Sequence, residues 1–333
     1  MGILKKITDE YRYIILAFLI LVCMPIVIPV PTASTILIYG LYALGYNIAL
    51  GYTGMLSFGH ATFFGLGAYG AGIAFRYFNT SVWTSLLTGA ASATFFSLII
   101  GALCVRKRGV YFALLIAAFG QMFYFLALSP LKRITGGEDG LRGIPVLSLE
   151  TPFHVNLADP LSLYYFILVI LAISILVMHR FLQSPFGSLL QGIRENEKRL
   201  RACGYNTNFI KVFSFSVSGL FAGLAGALYT IFLGYVPLNS LYWLTSGTAL
   251  LMTLLGGVGT FFGPLLGAGI FIYFEDTISA IVARWEIIVG GLFVFLILVF
   301  PEGVLGTIQN KMEQFGQTKS RSVQERMLNW LRK

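Results

Sequence analysis

Charge is what this sequence has least of. Lys, Arg, Asp and Glu make up 11% of its 333 residues, where an ordinary soluble domain carries roughly a quarter. The mean hydropathy is +0.80. That shortage excludes a single water-soluble core, because too few polar side chains exist to cover one. Cysteine is scarce as well: Cys23, Cys104 and Cys203 lie far apart, without metal-ligand spacing, and imply no disulfide framework. His60, His154 and His179 are equally scattered. A membrane-embedded enzyme would need grouped His, Asp or Cys residues, and none are grouped, so no catalytic or metal-ligating residue is assigned. G-x-x-x-x-G-K-[ST] does not occur, which leaves the chain without that phosphate-cradling loop.

Apolar residues are plentiful, at 57%, and they fall in runs long enough to cross a bilayer. The pattern predicts an all-α, polytopic membrane protein of about ten transmembrane helices. These lie near 13–31, 33–50, 60–78, 82–105, 109–128, 162–180, 209–234, 243–258, 262–282 and 285–301. The first run follows Lys5 and Lys6 as a signal peptide would, but it continues past Val30 and reads as an uncleaved span. Basic residues set the orientation. Three precede the first span, three form Arg106-Lys107-Arg108, six lie within 179–211 and six follow Pro301, which is eighteen of the 23. Ten crossings bring all four groups to one side, the cytoplasmic one, with both termini inside. The net charge of +9 is then an insertion signal, not a nucleic-acid surface.

On this reading residues 1–306 form a transmembrane domain and 307–333 a basic cytoplasmic tail. Met327, Leu328, Trp330 and Leu331 suit that tail to membrane lipid of the inner leaflet. Five spans in each half, running in opposite senses, permit a 5+5 inverted repeat. One local echo, LGYTGMLSFGHATFFG (50–65) against LGGVGTFFGPLLG (255–267), falls on the same side in both halves. It does not follow the inversion, and close packing is its only evident cause.

The longest hydrophilic stretch between the apolar halves runs from Ser184 to Lys211, within a cytoplasmic loop at 181–211. It reads as one helix. Ser184 is placed to cap the first amides, Pro185 sits where its missing N–H costs nothing, and Gly204 supplies a left-handed stop. Leu189, Leu190, Ile193 and Leu200 form an apolar stripe, with Arg194, Lys198 and Arg201 opposite. Glu195 with Arg199, and Glu197 with Arg201, are spaced four apart with the acid first, the favourable order. An amphipathic linker lying on the membrane has this pattern. So does a docking helix that passes force from a soluble partner into the flanking spans.

Polar residues inside spans are functional suspects. Asn47, Thr53, Ser57, His60 and Thr62 lie in or beside a glycine-crowded stretch, 51–72, that reads either as tight packing or as a broken helix lining a pathway. A lone histidine such as His60 is more often a packing residue than a ligand. Gln121, Tyr124, Thr248 and Thr253 are further pathway candidates. Glu275 and Asp276 lie either at membrane depth or, preferably, at the outer interface. The outer loop 129–161 packs turn residues and charges together, with no helix of its own expected. Its length points to work beyond linking, and Glu138, Asp139 and Arg142, among Gly136, Gly137 and Gly140, are candidates for docking a binding protein.

Several segments resemble a known family. GYTGMLSFGHATFFGLGAYGAG (51–72), GVYFALLIAAFGQMFYFLAL (109–128), TGGEDGLRGIP (135–145), SPFGSLLQGIREN (184–196), SGLFAGLAGALY (218–229), TLLGGVGTFFGPLLGA (253–268) and FPEGVLG (300–306) look like the permeases of branched-chain amino acid ABC importers. The TGG-x-DGL-x-GIP and YFA stretches resemble the LivM-like member specifically. The resemblance covers 15–306 and implies a type II ABC importer-like fold. It also implies partners: a second, LivH-like permease, two cytoplasmic ABC ATPase subunits and an external amino-acid-binding protein. ATP and Mg would be bound by the partner ATPase, leaving no cofactor in this chain and no enzyme activity of its own. The positions matching the ATPase-coupling loop are Gly192, Arg194, Glu195, Asn196, Ala202 and Gly204. Relatives carrying urea or short-chain amides share these motifs, and a stand-alone secondary transporter remains a rival, although it would usually keep a buried ionisable residue.

Overall fold

The computed structural model describes residues 18–144, 156–282, 284–300 and 303–307. The N-terminal basic residues, positions 145–155 of the loop 129–161 and the basic tail lie outside the described residues. Every described element is helical or irregular, apart from isolated β-bridge residues, of which Leu141 and Val236 pair with each other. In chain order the helices are α1 (Phe18–Val27), α2 (Val30–Asn47), α3 (Ala61–Phe78), α4 (Val82–Cys104), α5 (Val110–Leu128), α6 (Lys132–Thr135), α7 (Pro160–Gln183), α8 (Pro185–Ala202), α9 (Thr207–Leu233), α10 (Trp243–Gly256), α11 (Gly263–Ser279) and α12 (Trp285–Val299).

Each of the ten expected spans overlaps a described helix, the first only in part, because 13–17 lie outside the described residues. Five are both long and apolar enough to cross a membrane: α2 with its extension to Tyr52, α4, α5, α7 and α9. The others fall short for physical reasons. α10, α11 and α12 have 14, 17 and 15 residues, against about 20 for a full crossing at 1.5 Å per residue. α3 is 18 residues long, but four glycines and Arg76 dilute its apolarity. The break between α1 and α2 falls earlier than expected. Ile28 and Pro29 end the first helix, and Pro31 sits in the first turn of the second.

α9 is the hub, packing against α2, α3 and α4. Small residues make that possible. A Cβ on Gly67 would fall 2.1 Å from the carbonyl oxygen of Gly223, and one on Gly226 would fall 1.9 Å from that of Phe64. The backbones of α3 and α9 therefore touch, which is how helices associate where lipid offers no hydrophobic drive. This contact accounts for the SGLFAGLAGALY stretch. α2 packs on α9 from one side and on α10 and α11 from the other. There Ile36, Ala43, Met252, Leu255, Ala268, Phe271 and Ile272 form a second apolar cluster. Of the five long spans, α2 is the most enclosed and α5 the least.

The loop 129–161, expected on the outer side, has more structure than expected. α6 and a 3-10 turn at Gly137–Asp139 precede an antiparallel bridge in which Leu141 and Val236 exchange both main-chain hydrogen bonds at 2.9 Å. Both of these residues are fully buried. Gly140 takes φ +71°, and a Cβ there would lie 2.2 Å from the Val236 carbonyl oxygen. The glycines of the TGG-x-DGL stretch thus close the loop onto the segment joining α9 to α10. Glu138, Asp139 and Arg142 are left exposed on top, with Arg142 to Asp139 at 3.5 Å.

Candidate functional site

α8 is not the single straight helix expected. Pro185 opens it and Gly204 closes it at φ +89°. The stop is a Schellman motif, in which Tyr205 N–H reaches Leu200 O at 3.4 Å and Gly204 N–H reaches Arg201 O at 3.0 Å. Inside, however, Asn196 takes φ −158° and ψ 87°, which interrupts the helix. Its Oδ1 accepts the Arg199 amide at 3.0 Å, so Asn196 serves as the N-cap of a second short helix. The chain bends sharply there. A Cβ on Gly192 would meet Leu200 Cδ1 at 3.4 Å, although eight residues of straight helix span about 12 Å. Leu190 and Ile193 are buried against the bundle, with Leu189 and Leu200 half-buried beside them.

Two expected local interactions are absent. Ser184 does not cap α8, because its hydroxyl turns back to donate to Phe181 O at 2.6 Å, closing the end of α7. Glu195 and Arg199 do not pair, because the break at Asn196 lies between them. Glu195 is exposed and carries no ion pair among the described residues.

The second half of α8 is anchored by Glu197. Its Oε1 lies 3.1 Å from Arg108 Nη2, 3.0 Å from Arg201 Nη2 and 3.0 Å from Lys211 Nζ, and it accepts the Thr207 hydroxyl at 3.0 Å. The Lys211 side chain is 7% exposed and that of Glu197 14%. Burial alone would raise the Glu197 pKa, but the Lys211, Thr207 and Arg108 contacts outweigh it and hold the carboxyl below its ordinary value. Arg108 belongs to the α4–α5 turn and Lys211 to α9, so one carboxylate ties the second half of α8 to two other parts of the bundle. The sequence pattern offered only the Glu197–Arg201 spacing. Residues 108 and 211 are too distant in sequence for any local signal.

The first half of α8 reaches elsewhere. Arg194 Nη1 donates to the carbonyl oxygen of Gly51. Gly51 lies in a π-turn, Ile48–Tyr52, that continues α2, a local widening often found at functional positions. Beside it, Asn47 makes two hydrogen bonds to the loop between α10 and α11. Its Nδ2 donates to Thr260 O at 2.9 Å, and its Oδ1 accepts Gly259 N–H at 3.0 Å. A Cβ on Gly51 would lie 2.7 Å from Gly259 N. The two glycine stretches that echo each other in sequence therefore meet in space. A cleft of about 370 Å³ lies at this junction, lined by Gly51, Tyr52, Gln191, Arg194, Glu195 and Gly259.

The other pathway candidates separate into two groups. Thr53 and Thr253 are buried, with their hydroxyls donated to Ala49 O at 2.5 Å and Ala249 O at 2.8 Å. His60 is wholly buried, with Nε2 3.1 Å from Ser218 Oγ and its ring stacked on Tyr42 and edge-on to Tyr46, Phe63 and Phe215. All three are enclosed within the bundle. Ser57 is also buried, but among the described residues its Oγ has no partner, and neither has His60 Nδ1 or Thr62 Oγ1. Gln121 is exposed on α5, and Thr248 is half-buried on α10. Tyr124 and Tyr242, with ring centroids 5.4 Å apart, bring α5 to the start of α10.

Glu275 and Asp276 occupy the last turns of α11. Asp276 accepts the Thr32 hydroxyl at 2.5 Å, in the first turn of α2. Among the described residues no three His, Cys, Asp or Glu are placed to hold a metal ion.

Comparison with known proteins agrees with this architecture. The family model described as branched-chain amino acid transport system / permease component matches residues 28–300. The high-affinity branched-chain amino acid transport system permease protein LivM of Salmonella typhimurium is 29% identical over 312 residues, covering 87% of this chain and 73% of that protein. LivM of Escherichia coli strain K12 is 29% identical over 296 residues, covering 83% and 69%. The autoinducer 2 import system permease protein LsrC of Yersinia pestis is 26% identical over 240 residues, covering 68% and 66%. No solved structure matches the chain. The match of the family model to most of its length places this chain in the branched-chain amino acid transport system permease family.

Proposed function

We propose that this chain is a permease subunit of an ATP-driven ABC importer that carries branched-chain or related hydrophobic amino acids across the cytoplasmic membrane. It crosses ten times, in two inverted sets of five, with both termini inside. It works with a second, LivH-like permease, two cytoplasmic ATPase subunits that bind ATP and Mg, and an external amino-acid-binding protein. α8 carries this reading. It is a bent, basic segment between two long apolar helices, buried through Leu190 and Ile193 and exposing Glu195. A segment that only lay on lipid would have no use for a Glu197 anchor and an Arg194 reach into the bundle. Gly192, Glu195, Asn196, Ala202 and Gly204 form its partner side. Glu138, Asp139 and Arg142 receive the binding protein. Gln121, Thr248 and the unpartnered Thr62 hydroxyl mark the side of α3, α5 and α10 along which substrate passes, because polar groups in a membrane helix face a cavity or protein.

The experiment is purification in mild detergent with its co-purifying subunits, then uptake by proteoliposomes. ATP-dependent leucine uptake that requires the co-purified ATPase supports the reading. Uptake driven by an ion gradient alone would make the chain a secondary transporter. The resemblance to LsrC, named for autoinducer 2 import, gives the substrate a second arm. Competition by autoinducer 2, urea or short-chain amides but not by leucine would move the substrate class and keep the ABC assignment. Topology has its own test, in a background without the three cysteines. Ser148→Cys should react with an impermeant maleimide from outside and Ser320→Cys should not; the reverse pattern would overturn the orientation.

A further inference from the structure

The carbonyl of Gly51 sits where a helix runs out of donors. Past the π-turn, Gly54 N–H bonds to Leu50 O at 3.0 Å and Met55 N–H to Ala49 O at 2.9 Å. No main-chain donor beyond the turn reaches Gly51 O, as expected for the last carbonyls of any helix. The donor that does is the guanidinium of Arg194, 143 residues away in sequence. A cation is the favoured group at a helix C-terminus, and a charge-assisted hydrogen bond is stronger than a neutral one. Arg194 therefore caps α2 from another helix.

Its surroundings give that cap mechanical reach. α2 is the most enclosed of the long spans, so its cytoplasmic end cannot shift without moving α9, α10 or α11. A Cβ on Gly259 would lie 2.4 Å from Arg194 Nη1 and 3.2 Å from Gly51 O, so the α10–α11 loop passes against the same guanidinium. Asn47 binds that loop to α2. The adjoining cleft leaves the Arg194 side chain room to move. Its neighbour Glu195 is exposed and lines the same cleft, so the cap lies beside a face open to a partner.

We propose that Arg194 is a positioning residue that delivers displacement of α8 to the end of α2 and to the α10–α11 loop together, by capping Gly51, instead of holding the ATPase. This rests on α8 being the coupling element. It differs from a docking role for Arg194 in what its loss should do. The sequence pattern alone would have Arg194→Ala lose ATPase association and uptake together.

The test uses the complete importer in proteoliposomes. Arg194→Ala should co-purify with the ATPase as the wild type does and hydrolyse ATP within about twofold of it. Leucine carried per ATP should fall roughly tenfold or more, the scale of one charge-assisted hydrogen bond. Arg194→Lys, which keeps a cationic donor, should recover part of that ratio, and a merely structural residue would alter the yield of complex but not the ratio. Arg194→Lys also serves as the readout if the alanine variant is not recovered. Wild-type transport per ATP in the recovered variant, or loss of ATPase association with uptake, overturns the proposal. Glu195→Ala is the control for the underlying reading. If Glu195→Ala leaves association untouched while Arg194→Ala uncouples transport, α8 moves the bundle but docks elsewhere. If neither has an effect, the coupling assignment of α8 fails with the proposal.

Discussion

The two halves of α8 differ in composition, with two charged residues before Asn196 and four after it, and they differ in attachment. Before Asn196 the segment makes one polar contact with the bundle, Arg194 to Gly51, and leaves Glu195 exposed. After Asn196 a single carboxylate gathers Arg108, Arg201, Lys211 and Thr207. Charge alone does not decide how each half is held. What does is whether a charged group finds buried partners on other helices. The second half is fixed to the α4–α5 turn and to α9 by charge, while the first packs on the bundle through the buried Leu190 and Ile193 and reaches the end of α2 through Arg194. An element held at both ends with a bend between them is suited to pass a push on its exposed face into the bundle.

The largest effect is expected from breaking the fixed end. Glu197→Ala leaves three cations around an empty place, one of them Lys211 in a largely buried position. Removing one partner of a buried ion pair costs about 3–5 kcal/mol. The variant should therefore lose most of its yield in the membrane, and what remains should unfold at lower temperature in detergent. Unchanged yield and midpoint would mean that Glu197 contributes nothing to anchoring. The same anchor has a pH signature. Because the Glu197 pKa is lower in the fold than in the unfolded chain, its stabilisation is present above the unfolded value, about 4.3. It is lost as pH falls through the lower folded value. Detergent stability should thus show a carboxylate-dependent fall only below about pH 4.3, and Glu197→Gln should remove that part of the fall.

Next in size is the free face. Glu195→Ala should leave the permease folded and inserted, since no ion pair is broken. If a partner groove covers Glu195, the lost contact weakens ATPase association by about 2–5 kcal/mol. If the side chain stays in solvent, the change is under about 1 kcal/mol. Titrating ATPase against the reconstituted permease tells these apart. A wild-type affinity would move the docking face off the first half of α8.

How much of this was legible beforehand depends on the range of the interactions. Pro185 and Gly204 announce the ends of α8 because a missing N–H and a positive φ are local properties. The break at Asn196 is local too, since Asn is a good N-cap. It was hidden by two acid-first pairs that favour a continuous helix, and only Glu197–Arg201 forms. The role of Glu197 was not legible, because it needs Arg108 and Lys211 brought in by tertiary packing. Nor was the echo between the two glycine stretches readable as a contact, since Gly51 and Gly259 are 208 positions apart. Ser184 shows the reverse error: a good capping residue captured by the carbonyl of the helix before it.

The smallest effect is expected at the opposite end of the molecule, and it sharpens the contrast between a fixed scaffold and an open face. The outer loop is held by the Leu141–Val236 bridge and by glycines that admit no side chain, while Glu138 and Asp139 project from it. The Asp139–Arg142 pair is exposed on both sides, at 80% and 73%, so reversing Asp139 should change stability by no more than about 1 kcal/mol. Glu138→Lys with Asp139→Lys should therefore leave yield and basal ATP hydrolysis unchanged. Stimulation by the binding protein should weaken, and more so at low salt, where exposed charges are screened least. Measuring both activities over a range of ionic strength separates the outcomes. Loss of stimulated activity alone marks the charged edge as a docking surface. Equal loss of basal and stimulated activity would mean that the reversal had disturbed the bridge beneath, and that the two carboxylates belong to the scaffold.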